Sequence, residues 1–200
     1  MIDMWNDRYK QEVFQYGKLP NDYFKSHIDQ LPVGRILIPA AGEGRDAVYA
    51  AKLGWEVYAF DSSERGRDKA LQLAKKEKVS IYYICEDALK IQFPLESFDV
   101  IASIYFHLPP EIRNAFHHKT IKWLKNNGLI ILEGFNQRQL AHSSGGPKNK
   151  DWLFDEWMLR EDFKDLSIVE INEKQRILNE GPLHQGLAEV INLMARKSKK

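Results

Sequence analysis

Hydrophobic positions come first in five short runs: RILIP (35–39), EVYAF (56–60), SIYYIC (80–85), FDVIASIYF (98–106) and LIILEGF (129–135). Between them, apolar residues recur at helical spacing. Ala47, Ala50 and Ala51 predict a helix to about Leu53, ended by Gly54. Ser62 or Ser63 caps the stretch SSERGRDKALQLAKKEK, whose Ala70, Leu73 and Ala74 share one face. PPEIRNAFHHKTIKWLK starts on Pro109 and Pro110, turns Ile112, Ala115 and Phe116 inward, and stops at Asn127-Gly128. The strand runs are almost continuously apolar, which predicts a parallel sheet covered on both faces. Beyond residue 135 the pattern changes. NQRQLAHSSGGPKNKDWLFDEW is loop-like, and a loop this long is usually a lid or binding element. LSIVEINEKQRIL (166–178) and LAEVINLMARK (187–197) follow, joined by NEGPLHQG. That link is too short for a parallel crossover, so the pair is expected to be an antiparallel hairpin. The whole predicts one α/β domain over 1–200 with a doubly wound, mostly parallel, seven-stranded sheet. Residues 1–30 form an N-terminal helical cap and 136–160 a lid-like loop.

Composition narrows the function. Of 200 residues 44% are hydrophobic, enough for a globular core. Net charge is +1, which argues against a nucleic-acid binder. The closing RKSKK is expected to be a solvated end. Cys85 is the single cysteine, so no internal disulfide and no four-cysteine metal site can form, and its apolar run predicts a buried thiol. No apolar run approaches the ~20 residues of a membrane span, and MIDMWNDRYKQEVFQYG lacks a signal-peptide core. A cytoplasmic protein without metal, membrane or nucleic-acid partner is expected.

Chemistry concentrates after the first run. Gly42, Gly44 and Ala47 give G-x-G-x-x-A between a strand and a helix, a turn that lets a ligand approach the backbone. Asp61 ends the second run, where a carboxylate can accept from both ribose hydroxyls of an adenosine. Glu86-Asp87-Ala88 follows the third, and a carboxylate there can hold an adenine amino group. Spacing alone leaves NAD and S-adenosylmethionine both open.

The order of these motifs, followed by FDVIASIYFHLPPEIR, WLKNNGLIILEGF and a terminal hairpin, resembles the class I S-adenosylmethionine-dependent methyltransferases. W-N-x-R-Y with Y-G-K-L-P-N-D-Y-F at the start, F-H-L-P-P-E-I-R, and E-G-P-L-H-Q-G resemble, more narrowly, the small bacterial branch related to tellurite-resistance and thiol methyltransferases. The resemblance spans essentially the whole chain. It implies a Rossmann-like fold and methyl transfer to a small acceptor, a soft nucleophile such as a thiol or chalcogen oxyanion, with S-adenosylhomocysteine as product. It implies cofactor contacts from Ala40, Gly42, Glu43, Gly44, Arg45, Asp61, Ser62, Asp87 and Ala88. His107, just past the fourth strand, is the expected base, and Tyr9, Tyr16, Tyr105 and His184 the expected acceptor contacts. A monomer or homodimer is expected. The chain departs from many members at Ile38 and Ala40, where an acidic residue and a glycine are common. Trp5, Tyr9, Phe14 and Tyr16, like Trp152, Phe154 and Trp157, either cap the pocket or pack in the core. His117 and His118 are expected to be structural or solvated; Arg45, Arg113 and Arg138 could hold an anionic acceptor, but surface charge is the expectation for each. Two other readings stay open: a non-catalytic S-adenosylmethionine binder and an NAD-dependent oxidoreductase.

Overall fold

Where the apolar runs fall fixes which strands are interior. The computed structural model describes residues 2–199; Lys200, the last residue of the RKSKK tail, lies outside them. One sheet contains β1 (Arg35–Pro39), β2 (Glu56–Asp61), β3 (Tyr82–Cys85), β4 (Phe98–Ile104), β5 (Leu124–Phe135), β6 (Ser167–Asn179) and β7 (Gln185–Arg196). Their order is β3-β2-β1-β4-β5-β7-β6. The first five are parallel, and β7 runs antiparallel to both β5 and β6. This is the predicted mixed sheet closing on a hairpin. β7 carries the apolar LAEVINLMA and is buried along its middle, whereas the polar-rich β6 takes the edge, where unpaired backbone meets water.

Side chains alternate across the parallel strands and build two cores. Ile36, Ile38, Val57, Ala59, Val100 and Ala102 pack with α2 (Asp22–Ile28) and α3 (Arg45–Lys52). Leu37, Phe60, Ile101, Ile130 and Leu132 pack on the other face with α5 (Pro110–Trp123) and α6 (Glu156–Asp162). α1 (Ile2–Tyr9) lies on α4 (Glu64–Lys76), where Asn6 accepts from the Ser63 hydroxyl at 2.7 Å. Ser63, not Ser62, caps α4. No helix among the described residues is long and apolar enough to cross a membrane.

Three local expectations need correction. α5 ends at Trp123, and Asn127-Gly128 does not stop it; Asn127 instead sits at φ 64° in an irregular start to β5. Ala115 is exposed, and the buried face of α5 is Arg113, Phe116, His117, Thr120 and Trp123. The three polar members are tolerated because Asp162 of α6 accepts from Arg113 Nε and His117 Nδ1, both at 2.7 Å, and the Thr120 hydroxyl donates to the His117 carbonyl at 2.6 Å. Cys85 is half-buried on the edge strand β3, with its thiol on the Ser62 carbonyl. The 136–160 stretch holds two short 3-10 turns, Gln137–Ala141 and Lys150–Trp152, and then enters α6.

Candidate active site

The carboxyl ends of β1 to β5 open onto one edge of the sheet, where ligands of parallel α/β sheets bind. A cavity of about 480 Å³ lies there, within the usual size of small-molecule sites. Ala40 (φ 47°) and Gly42 (φ 50°) turn the chain out of β1 with left-handed backbone. Ala40 therefore carries the strain that a glycine at this position avoids. A Cβ on Gly42 would stand 2.7 Å from the Tyr9 hydroxyl, so the glycine also lets the N-terminal segment close on the turn. The turn consumes its own donors. Gly42 N–H donates to Asp61 Oδ2 at 3.1 Å and Gly44 N–H to the Ala41 carbonyl at 2.8 Å.

Asp61 Oδ1 accepts from Ser63 N–H at 2.9 Å, so backbone pins both carboxylate oxygens in place beside the cavity. Burial pushes this carboxyl up, against the opposing pull of those N–H groups. Asp87 Oδ1 accepts from Leu89 N–H at 2.8 Å; its other oxygen has no partner among the described residues. Ser62, Glu86 and Ala88 line the same end. This part of the expected cofactor set comes together as acidic acceptors on one wall, the chemistry an adenosine's hydroxyls and amino group require.

Glu43 and Arg45 have other work. Glu43 is buried and turned to the N-terminal segment: Oε2 accepts from Gln15 N–H at 2.7 Å, and Lys69 pairs with Oε1 at 2.5 Å. Arg45, expected at the surface, is also buried. It donates to the Tyr16 carbonyl at 2.9 Å and to Glu180 Oε2 at 3.0 Å. Both residues seat the segment carrying Trp5, Tyr9 and Tyr16, which line the cavity. Phe14 lies elsewhere, under the Lys69 ammonium. Arg113 is buried against Asp162, and only Arg138 is the expected surface charge, pairing with Glu173 and Glu189.

The opposite end of the cavity is aromatic. Tyr105 follows β4 at φ 52°, its ring 4.6 Å from Phe135 and 4.7 Å from His184. Tyr16 meets His184 edge-on at 4.6 Å. Trp152 joins this wall, while Phe154 is core and Trp157 is exposed.

His107 borders the cavity, but its nitrogens are both engaged, which corrects the expectation that it is the base. Nδ1 lies 2.8 Å from the Trp152 carbonyl, an acceptor only, so Nδ1 carries the proton. Nε2 accepts from Phe135 N–H at 3.0 Å, so no lone pair is left for an acceptor's proton. Burial drives this imidazole down to about 4. His107 is a neutral bolt joining the ends of β4 and β5 to the 150s turn.

His184 differs. Its Nδ1 lies 3.2 Å from Glu180 Oε2, and Nε2 has no hydrogen bond among the described residues although the ring lines the cavity. Burial lowers its affinity for a proton, with Arg45 adding to the effect and Glu180 opposing it. Gly145 (φ 130°) makes room: a Cβ there would stand 3.0 Å from Nε2.

The sequence reading missed the charges beneath this wall. Glu133 is fully buried in β5. Its Oε1 accepts from Asn21 at 2.6 Å, Arg176 at 2.7 Å and Tyr105 at 2.9 Å. Arg176 also reaches Glu180 Oε1 at 3.1 Å. The available signal was an acid inside the otherwise apolar LIILEGF.

Comparison with known proteins agrees with this architecture. Residues 36–128 match the methyltransferase domain family. Thiocyanate methyltransferase 1 of Arabidopsis thaliana is 30% identical over 146 residues, 70% of this chain, and the chain spans 63% of that relative's length. A structure solved for the conversion of a disulfide bond into a thioacetal group during echinomycin biosynthesis superposes with a TM-score of 0.82 at 16% identity, over 99% of this chain and 92% of the other. TehB from Haemophilus influenzae gives 0.73 at 20% identity, over 98% and 67%. At such identities the superpositions speak for the fold. The chain therefore shares the fold of these structures, with the strand order β3-β2-β1-β4-β5-β7-β6, and its segment 36–128, which carries the Gly turn and Asp61, is similar to the methyltransferase domain family.

Proposed function

We propose that the protein transfers a methyl group from S-adenosylmethionine to a small, soft, proton-bearing nucleophile of the thiol class. One observation carries this reading: a single cavity joins backbone-pinned carboxylates at one end to an aromatic wall with a bare imidazole nitrogen at the other. The residues present fit the cofactor. Asp61 would take the ribose hydroxyls and Asp87 the adenine amino group, while the Gly turn admits the methionine portion. S-adenosylmethionine supplies a carbon already activated by its sulfonium, so the protein's task is alignment and exclusion of water. Alignment alone is worth roughly 7–11 kcal/mol of barrier. Tyr16, Tyr105, Phe135 and Trp152 give the acceptor a dry, polarisable surround, and the rings suit a neighbouring sulfonium. His184 Nε2 is the group able to take a proton from the acceptor.

The turn's internal hydrogen bonds count against a dinucleotide. A pyrophosphate needs free N–H groups at a Gly turn, and those of Gly42 and Gly44 are already satisfied. The relative's printed name, a thiocyanate methyltransferase, supports a small soft acceptor. Calorimetry with S-adenosylhomocysteine and NAD, followed by mass-spectrometric detection of methylated products from a thiol panel, tests the reading. Binding of S-adenosylhomocysteine alone and formation of methyl thioethers are expected. Binding without turnover of any acceptor would make the protein a non-catalytic binder.

A further inference from the structure

Outside the cofactor end of the cavity, a cluster of titratable groups converges on Glu180. Its Oε2 faces His184 Nδ1 at 3.2 Å and Arg45 at 3.0 Å, and its Oε1 faces Arg176 at 3.1 Å and Asn21 at 3.4 Å. Every partner comes from a different part of the chain: the hairpin turn, α3, β6 and the N-terminal segment. One carboxylate does not collect the buried Arg45 and the half-buried Arg176 guanidiniums by accident of packing, because an ion taken from water costs several kcal/mol in desolvation unless paired. Something must be gained from fixing this one.

We propose that Glu180 is a positioning residue: by accepting the Nδ1 proton of His184 it holds the imidazole as the tautomer whose bare Nε2 faces the acceptor. This rests on the methyl-transfer reading. A carboxylate can only accept, so the 3.2 Å contact places the proton on Nδ1 and leaves the lone pair on Nε2. The same geometry stabilises the imidazolium that forms when the proton is taken. The groups facing this pair are Arg45 and Asp46 from α3, Tyr16 and Asn21 from the N-terminal segment, Tyr105 after β4, Glu133 from β5 and Arg176 from β6. Burial opposes ionisation of Glu180, but His184, Arg45 and Arg176 outweigh it and hold the carboxyl down at about 2. Glu180 is therefore charged throughout the working range.

The step balances. A thiol's S–H bond breaks and its proton goes to Nε2. The freed sulfur pair forms the new S–C bond as the sulfonium C–S bond breaks, its electrons staying with the donor's sulfur. His184 then returns the proton to water.

The test compares Glu180→Gln and Glu180→Asp with the wild type. Nitrogen-15 correlation spectra of histidine-labelled protein, assigned with His184→Asn, read the tautomer without any turnover. Wild type is expected to show Nδ1 protonated and Nε2 bare, and E180Q to lose that preference. Methylation of 2-mercaptoethanol at pH 7 is expected to fall at least tenfold in kcat for E180Q, a general base being worth roughly 10²–10⁴. The deficit should shrink as pH rises and the thiol ionises unaided, and E180D should recover part of the rate. Thiocyanate has no proton to lose, so its methylation should change less than threefold. Equal losses on both acceptors, or an unchanged tautomer in E180Q, would overturn the assignment. If wild type methylates neither acceptor, the methyl-transfer reading fails, and the tautomer in E180Q still decides whether Glu180 orients His184.

Discussion

Arg176→Met is the sharpest perturbation of the charges under the aromatic wall. Glu133 has no exposure, and Arg176 is the one cation bound to it, at 2.7 Å, among the described residues. Its remaining donors, Asn21, Tyr105 and the Asn192 amide on Oε2, are neutral. Met fills the stem's volume and removes the charge, leaving a carboxylate sealed in the sheet. Breaking a buried pair from one side costs about 3–5 kcal/mol. For a chain of this size 1 kcal/mol moves Tm by roughly 2–4 °C, so a fall of roughly 6–20 °C is expected. The penalty is specifically an uncompensated charge, which gives a second arm. In Glu133→Gln/Arg176→Met the buried group is neutral, and the amide can still meet Tyr105 and Asn21. The double variant should therefore be more stable than R176M alone, a coupling visible in a double-mutant cycle of urea melts. A Tm for R176M within 3 °C of wild type, or a double variant whose loss equals the sum of the singles, would refute the claim that this pair holds β5 to the hairpin.

Asp61→Ala should weaken S-adenosylhomocysteine by about 100-fold in calorimetry, since two hydrogen bonds to a charged acceptor are worth about 3 kcal/mol or more; affinity within threefold of wild type would remove Asp61 from the cofactor site. Gly145→Ala would put a Cβ 3.0 Å from His184 Nε2 at φ 130°, so turnover should fall by about 10²-fold, as for other misplacements of a reacting group, with S-adenosylhomocysteine affinity retained. Acid should destabilise the fold in two windows. Burial lowers His107, His117 and His184, so the unfolded chain binds their protons first and stability declines as pH falls from about 6.5 toward 4. Glu180 and Asp162 resist burial through their donors and sit below the usual carboxylate range, so their contribution is lost only below about pH 4.5. A urea midpoint constant from pH 7 to pH 5 would contradict the histidine part.

What the sequence could disclose was whatever depends on neighbours along the chain. RILIP, the turn glycines and Asp61 lie within 27 residues and define strand, bend and strand tip by local rules. The hairpin was equally legible, because eight residues cannot carry a crossover. Side-chain destinations were not. His107 and His184 were both placeable at the open edge of the sheet. Which of them keeps a lone pair depends on Phe135, Trp152 and Glu180, and only folding brings the first two to His107. Arg45 looked like surface charge because its partner, Glu180, lies 135 residues away. The inner face of α5 was misjudged for the same reason: Arg113 and His117 become burial-tolerant through Asp162, 49 and 45 residues on.

The division of the cavity carries a kinetic consequence. On the proposed reading, contacts from Asp61 and Asp87 to an adenosine would be the same before, during and after transfer, because no bond in that moiety changes. Such uniform binding lowers KM without raising kcat. The acceptor end is where charge would move, as a thiol loses its proton and the sulfonium its charge. Arg45 and Arg176 are both committed to carboxylates, so among the described charges near His184 neither is free to hold an anionic acceptor. Substitutions at Asp61 should therefore appear in KM, and those at His184 or Glu180 in kcat. A kcat loss from D61A at saturating cofactor, equal to that from a His184 variant, would break this separation.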